Sequence, residues 1–218
     1  MRFLEKEELT HFRFQKDFLR PFEYTMTHNA NPEIRDMVWL QNFNRDCAQT
    51  DRSLQVLQCL QQMIQARVQN MRSGWRTMFG VFSAASKVLT GTCPCNFIDI
   101  LFSDHTTTER VANSAFEIVT RLNKEHFVAI VRYGAFADLM VCITDFCKVS
   151  KYQKISLLAI AMLRGVIPVM LNTPECGLTP AGPQNIGVED PMIKYWFPVL
   201  FGFYDIIMNG EDLEVRRL

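Results

Sequence analysis

The stretch FQKDFLRPFEYTMT, Phe14 to Thr27, sets the reading of the whole chain. Phe14, Phe18, Phe22 and Met26 recur at four-residue steps with Leu19 beside them, which places them on one face of a helix of 3.6 residues per turn. Pro21 bends this helix or starts its main segment. The same period recurs outward from it, and no sustained apolar/polar alternation of the kind a half-buried strand requires is found. Asn31-Pro32 opens a second helix, because Asn caps free amides and Pro suits the first helical position. Ser73 to Lys87 carries Trp75, Met78, Phe79 and Phe82, with Ser73 as a candidate cap; Thr108 to Leu122 carries Val111, Ala115, Ile118, Val119 and Leu122. Further helices are predicted over Lys124 to Tyr133, Phe136 to Lys148 and Tyr152 to Leu171.

Asn172 to Asp190 holds Pro174, Gly177, Pro180, Gly182, Pro183 and Gly187 and reads as a loop. Asp190-Pro191 then opens a helix bearing Tyr195, Trp196, Val199, Leu200, Phe203, Ile206 and Ile207, kinked at Pro198 and ending near Asn209-Gly210. Glu211 to Leu218 reads as the start of another helix that the chain does not complete. Successive helices with broad apolar faces predict an all-α fold, a HEAT/armadillo-like α-solenoid of stacked helix pairs. No crisp repeat of fixed period occurs, and the tetratricopeptide and ankyrin signatures are absent. The expected division is a helical repeat region over 1–172, a linker over 173–190 and the truncated start of a further repeat over 191–218.

Composition limits function. With 218 residues, 48% of them hydrophobic and 21% charged, the chain can build a sizeable core. Lys and Arg total 23 against 23 Asp and Glu, so there is no basic footprint for nucleic acid. The longest apolar run, Ile155 to Leu171, is interrupted by Arg164 and Pro168, short of an uncharged membrane span. The opening MRFLEKEELTHFRFQK lacks a signal-peptide core, so a soluble, cytosolic chain is expected. Seven cysteines, an odd number without a secretory signal, read as reduced thiols. Cys93 and Cys95 have no second pair to complete a zinc site. His11, His28, His105 and His126 stand apart from any nucleophile or metal motif. Neither a catalytic centre nor a cofactor or metal site is predicted.

Two segments interrupt the helical pattern. Without Trp39 to Val56, the face of Ile34, Met37 and Val38 continues into Leu57, Cys59, Leu60, Met63 and Ile64 at the steps of a single helix. Without Gly91 to Thr108, an ordinary short connection joins two helices. Both segments are 18 residues long, equivalent to 54 nucleotides, which favours translated introns kept in frame. The competing reading is two surface loops, since loops tolerate insertion far better than helix interiors.

The remaining sequence, FRFQKDFLRPFEYTM (Phe12 to Met26), NPEIRDMV (Asn31 to Val38), LQCLQQMIQARVQNMRSGWRTMFGVFSAAS (Leu57 to Ser86) and YWFPVLFGFYDII (Tyr195 to Ile207), resembles the large Arf guanine-nucleotide exchange factors of the Sec7/BIG class. The likeness is to the region downstream of their Sec7 domain, and NMRSGWRTMFGVF (Asn70 to Phe82) is its most specific part. The resemblance implies a non-catalytic regulatory or scaffold segment of a Golgi exchange factor. It would be peripheral at the trans-Golgi network, supporting Arf activation, membrane recruitment and vesicle-mediated protein transport. The implied partners are activated Arf or Rab GTPases, other domains of the parent and the Golgi membrane. The alternative is a structural spacer that binds no partner directly. The Leu-Pro-Gly-Glu sequence that presents the catalytic glutamate of Sec7 domains does not occur.

Arg72, Trp75 and Arg76 form the candidate interaction surface, because two Arg around an aromatic make a rim-and-anchor contact. The competing reading packs Trp75 in the core and uses the Arg pair on neighbouring helix ends. Two further basic groups, Arg13/Lys16/Arg20 and Lys148/Lys151/Lys154, read as solvated faces before lipid sites.

Overall fold

The computed structural model describes residues 14–27, 49–90, 105–178 and 190–218. Every regular element among them is helical: α1 (Phe14–Thr27), α2 (Gln49–Arg67), α3 (Gly74–Thr90), α4 (His105–Glu125), α5 (Phe127–Arg132), α6 (Phe136–Cys147), α7 (Gln153–Asn172), α8 (Phe197–Asn209) and α9 (Leu213–Arg217), with short 3-10 turns between some of them. The fold is all-α. The chain forms two compact units, 1–118 and 119–218, and the division falls inside α4. The predicted linker over 173–190 does not separate units, because α8 packs on α6 from the other side of it.

In the first unit α1 lies against α3. Leu19 and Phe22 of α1 are buried, as are Trp75, Met78, Phe79 and Phe82 of α3. The packing face of α1 is thus Gln15, Leu19 and Phe22, while Phe18 leans on Phe22 at 6.3 Å and remains half exposed. In α2, Val56, Leu57, Leu60, Met63 and Ile64 form one buried row.

That row corrects the border drawn at Val56. Gln49 to Val56 are the first two turns of α2, and Val56 is in helical register with Leu60 and Ile64. Likewise α4 begins at His105, so the last four residues of the second interrupting segment are helical. Residues 39–48 and 91–104, like the helix start at Asn31-Pro32, lie outside the described residues.

The second unit is built on α6, whose Leu139, Met140, Cys142, Ile143 and Phe146 are all buried. Helix α7 packs along it through Ile155, Ala159, Ile160, Leu163, Val166 and Met170. Neither Arg164 nor Pro168 interrupts α7, which is long and apolar enough to cross a membrane by length and composition alone. The boundary predicted between Leu122 and Lys124 lies at His126 instead, because α4 runs on to Glu125 before His126 leaves helical geometry and α5 begins. Helix α5 closes in a Schellman motif: Ala135 N–H bonds the Ile130 carbonyl and Gly134 N–H the Val131 carbonyl, with Gly134 at φ 72°.

Asp190 caps the next helix, its Oδ1 accepting the Met192 amide at 2.9 Å. Met192–Trp196 form a turn of π-helix before α8, and the Phe197 N–H reaches the Met192 carbonyl five residues back. Proline brings no N–H and crowds the carbonyl four residues before it; a widened turn at that point accommodates Pro198 without breaking the rod.

Candidate functional site

The motif that carries the family resemblance is the joint between α1 and α3. Gln15, fully buried on α1, donates from Nε2 to the Asn70 carbonyl at 2.8 Å, and its Oε1 accepts the Arg72 amide at 2.9 Å. Ser73 Oγ accepts the Lys16 amide at 3.3 Å. Ser73 therefore serves the first turn of α1, 57 residues away in sequence. Gly74 allows the close approach: a Cβ there would stand 2.7 Å from Met71 Cε and 3.0 Å from Leu19 Cδ1. A Cβ on Gly80 would meet Glu23 Oε1 at 2.5 Å. The two helices thus run side by side in the same direction, Gln15 near Arg72 and Glu23 near Gly80.

Trp75 is wholly buried and stacks on Phe79 at a centroid separation of 5.9 Å. This corrects the anchor role, since a partner cannot reach an indole with no exposed surface. The Trp75 Nε1–H is buried without a hydrogen-bond partner among the described residues. Of the three predicted surface residues, Arg76 is exposed, Arg72 is half-buried and Trp75 is core. On α1, Lys16 is half-buried and Arg20 exposed.

A second polar cluster, unmarked by the sequence reading, joins α6 to α8. Lys148 Nζ lies 2.7 Å from Asp205 Oδ2 and 3.3 Å from Asp145 Oδ1, and Asn209 Nδ2 donates to Asp205 Oδ1 at 2.6 Å. Burial alone would lower the Lys148 pKa, but the hydrogen bond to Asp205 and the charges of both carboxylates outweigh it and leave the ammonium more basic than usual. Burial pushes the Asp205 carboxyl up, while Lys148 and Asn209 pull it down further, for a net lowering. Beside this cluster α6 and α8 approach closely at Gly202, where a Cβ would stand 2.7 Å from Thr144 Oγ1.

The buried thiols are poor nucleophiles. Burial raises the Cys147 pKa well above its ordinary value, and burial with the Glu175 charge pushes Cys176 up to about 11. Among the described residues no group of three or more His, Cys, Asp or Glu could hold a metal ion.

The site is therefore a helix-packing joint between α1 and α3. Residues 2–45 and 39–93 match the Mon2/Sec7/BIG1-like HDS family, in two overlapping pieces that meet where the sequence reading put its first interruption. The chain is 35% identical over 216 residues to the ADP-ribosylation factor guanine nucleotide-exchange factor sec72 of Schizosaccharomyces pombe, covering 99% of the chain and 10% of that relative. It is 32% identical over 218 residues to the human brefeldin A-inhibited guanine nucleotide-exchange protein 1, again 99% of the chain and 10% of the relative. The brefeldin A-inhibited guanine nucleotide-exchange protein 2 of Arabidopsis thaliana is 28% identical over 240 residues, 100% of the chain and 11% of that relative. The chain belongs to the HDS family of Sec7/BIG-type Arf exchange factors. The matched region is not the catalytic Sec7 domain, and the chain spans about a tenth of the length of its curated relatives.

Proposed function

We propose that these residues form a non-catalytic regulatory segment of a Golgi Arf exchange factor. In this reading the segment supports membrane recruitment and Arf activation through contacts with activated Arf or Rab GTPases and with other domains of its parent. Likeness to exchange factors along 99% of the chain is the observation that carries it. On the α1/α3 joint Arg76 is exposed and Arg72 half-buried, and an acidic partner surface would complement their charge. Peripheral association with the trans-Golgi membrane and a role in vesicle-mediated transport follow from the same reading.

The test is a titration of the protein against liposomes carrying GTP-loaded or GDP-loaded Arf or Rab. Nucleotide-dependent recruitment, weakened by Arg76→Glu, supports the proposal; equal binding in both nucleotide states overturns it. Burial of Trp75 favours a second reading, in which the specific motif serves packing alone and the segment spaces other domains. That reading predicts no recruitment by any GTPase.

A further inference from the structure

Helix α8 is apolar on two sides. Val199, Gly202 and Ile206 are buried, and Gly202 meets Thr144 of α6. Phe197, Leu200, Phe201, Tyr204, Ile207 and Met208 are each more than half exposed, from 52% to 62%. Their spacing covers an arc of about 120° at 100° per residue, the width of a helix-packing stripe. The rings of Phe197, Phe201 and Tyr204 follow one another along it at 5.9 and 6.2 Å. A helix apolar nearly all round is normally an internal one.

Charge selects among possible occupants. A helix that lies on a membrane surface carries Lys and Arg on its polar face. Here no Lys or Arg occurs between Lys194 and Arg216, and the acidic residues Asp205, Glu211, Asp212 and Glu214 fall in that interval. The nearby Lys148 is already committed to Asp205 and Asp145. An anionic lipid surface is thus a poor match, whereas an uncharged apolar stripe on a protein helix fits both width and charge. The relatives supply a source, because a chain that is 10% of such a polypeptide leaves nine-tenths of it to furnish that helix.

We propose that the exposed face of α8 is the docking surface for an amphipathic helix of the same polypeptide, contributed from outside residues 1–218. The inference rests on the reading of the chain as a segment of a longer exchange factor. The test places the photo-crosslinking residue p-benzoylphenylalanine at Tyr204 in the complete polypeptide and maps crosslinks by mass spectrometry, with differently isotope-labelled copies mixed and with vesicles of phosphatidylcholine and phosphatidylserine present. The expected result is crosslinks within one polypeptide, to residues outside 1–218 spaced three and four apart. A several-fold loss of yield is expected for Leu200→Asp, which leaves the Val199/Ile206 face intact. Crosslinks between copies, to lipid or to nothing at all would overturn the proposal. No GTPase enters the experiment, so its outcome is independent of nucleotide-dependent recruitment.

Discussion

The backbone amide of Arg72 donates to the side-chain oxygen of Gln15 at 2.9 Å, tying the turn before α3 to the first turn of α1. Gln15 answers on its other side by donating to the Asn70 carbonyl, so one buried amide satisfies two main-chain groups. Gln15→Leu would strand both of them and is expected to cost about 2 to 6 kcal/mol, at about 1 to 3 for each unsatisfied group. Urea unfolding of the two proteins measures it. Gln15→Glu should regain stability on acidification, because only the protonated carboxyl can both donate and accept.

Substitution of Gly202 tests the α6/α8 contact. Gly202→Ala puts a methyl 2.7 Å from Thr144 Oγ1, and overpacking of this kind costs about 1 to 3 kcal/mol. Adding Thr144→Ala removes the obstructing hydroxyl, so the double variant should be more stable than Gly202→Ala alone. A double-mutant cycle by thermal unfolding reads the coupling; strictly additive losses would contradict the contact.

Lys148→Met leaves Asp145 and Asp205 facing each other without their cation. A loss of about 1 to 3 kcal/mol is expected, in keeping with charge-assisted hydrogen bonds at a partly exposed site. The pH dependence has two arms. Asp205 is depressed on folding, so its contribution is present above its unfolded pKa and is lost as pH falls through the lower folded value. Lys148 is raised on folding, so its contribution is complete below the unfolded lysine value and is lost as pH rises through the higher folded one. The difference in stability between wild type and Lys148→Met should therefore be widest between these limits and narrow at both extremes.

At Trp75, truncation to a methyl and replacement by a smaller aromatic ring are distinguishable. Trp75→Ala empties a fully buried site and should cost about 3 to 5 kcal/mol. Trp75→Phe should cost much less, since it keeps the stack on Phe79 and gives up no hydrogen bond from Nε1. Arg76→Glu, at an exposed position on the same helix, gives up an exposed arginine's interactions and should cost no more than about 1 kcal/mol. Calorimetry of the three variants checks the order.

Local periodicity carried most of the helices. The predicted first helix coincides with α1, and the predicted sixth and seventh lie within a residue of α6 and α7, because their apolar faces are the packing faces. Reading failed where the deciding partner is distant or the signal is one residue. Ser73 reads in sequence as a local cap, and its hydroxyl also accepts the Lys16 amide across 57 residues, a partner that local reading cannot supply. For Trp75 the sequence leaves anchor and core open, and its full burial decides for the core reading; neighbouring Gly74 and Gly80, which let α1 approach closely, are the local sign of it. The break predicted between Leu122 and Lys124 falls about three residues later, at His126, since no Pro or Gly fixes its position, whereas Gly134 marks the end of α5. Lys148 was grouped with Lys151 and Lys154 by proximity in sequence, whereas the carboxylate that engages it most closely lies on α8.

The widened turn at Met192–Trp196 also bears on how this region can change length. A π-turn is one residue more than an α-helical path needs, so deleting a single codon there would straighten the rod and return the Phe197 amide to a bond four residues back. It would also rotate Tyr195 by about 100° relative to α8 and take its ring away from Phe136, which it now meets edge-on at 5.3 Å. Pro198 fixes the need for the extra residue, so a deletion in this turn should be tolerated only together with replacement of Pro198 and repacking at Phe136. Proline and spare residue form one heritable unit, and single-residue gaps in relatives of this chain are expected to track the presence or absence of that proline.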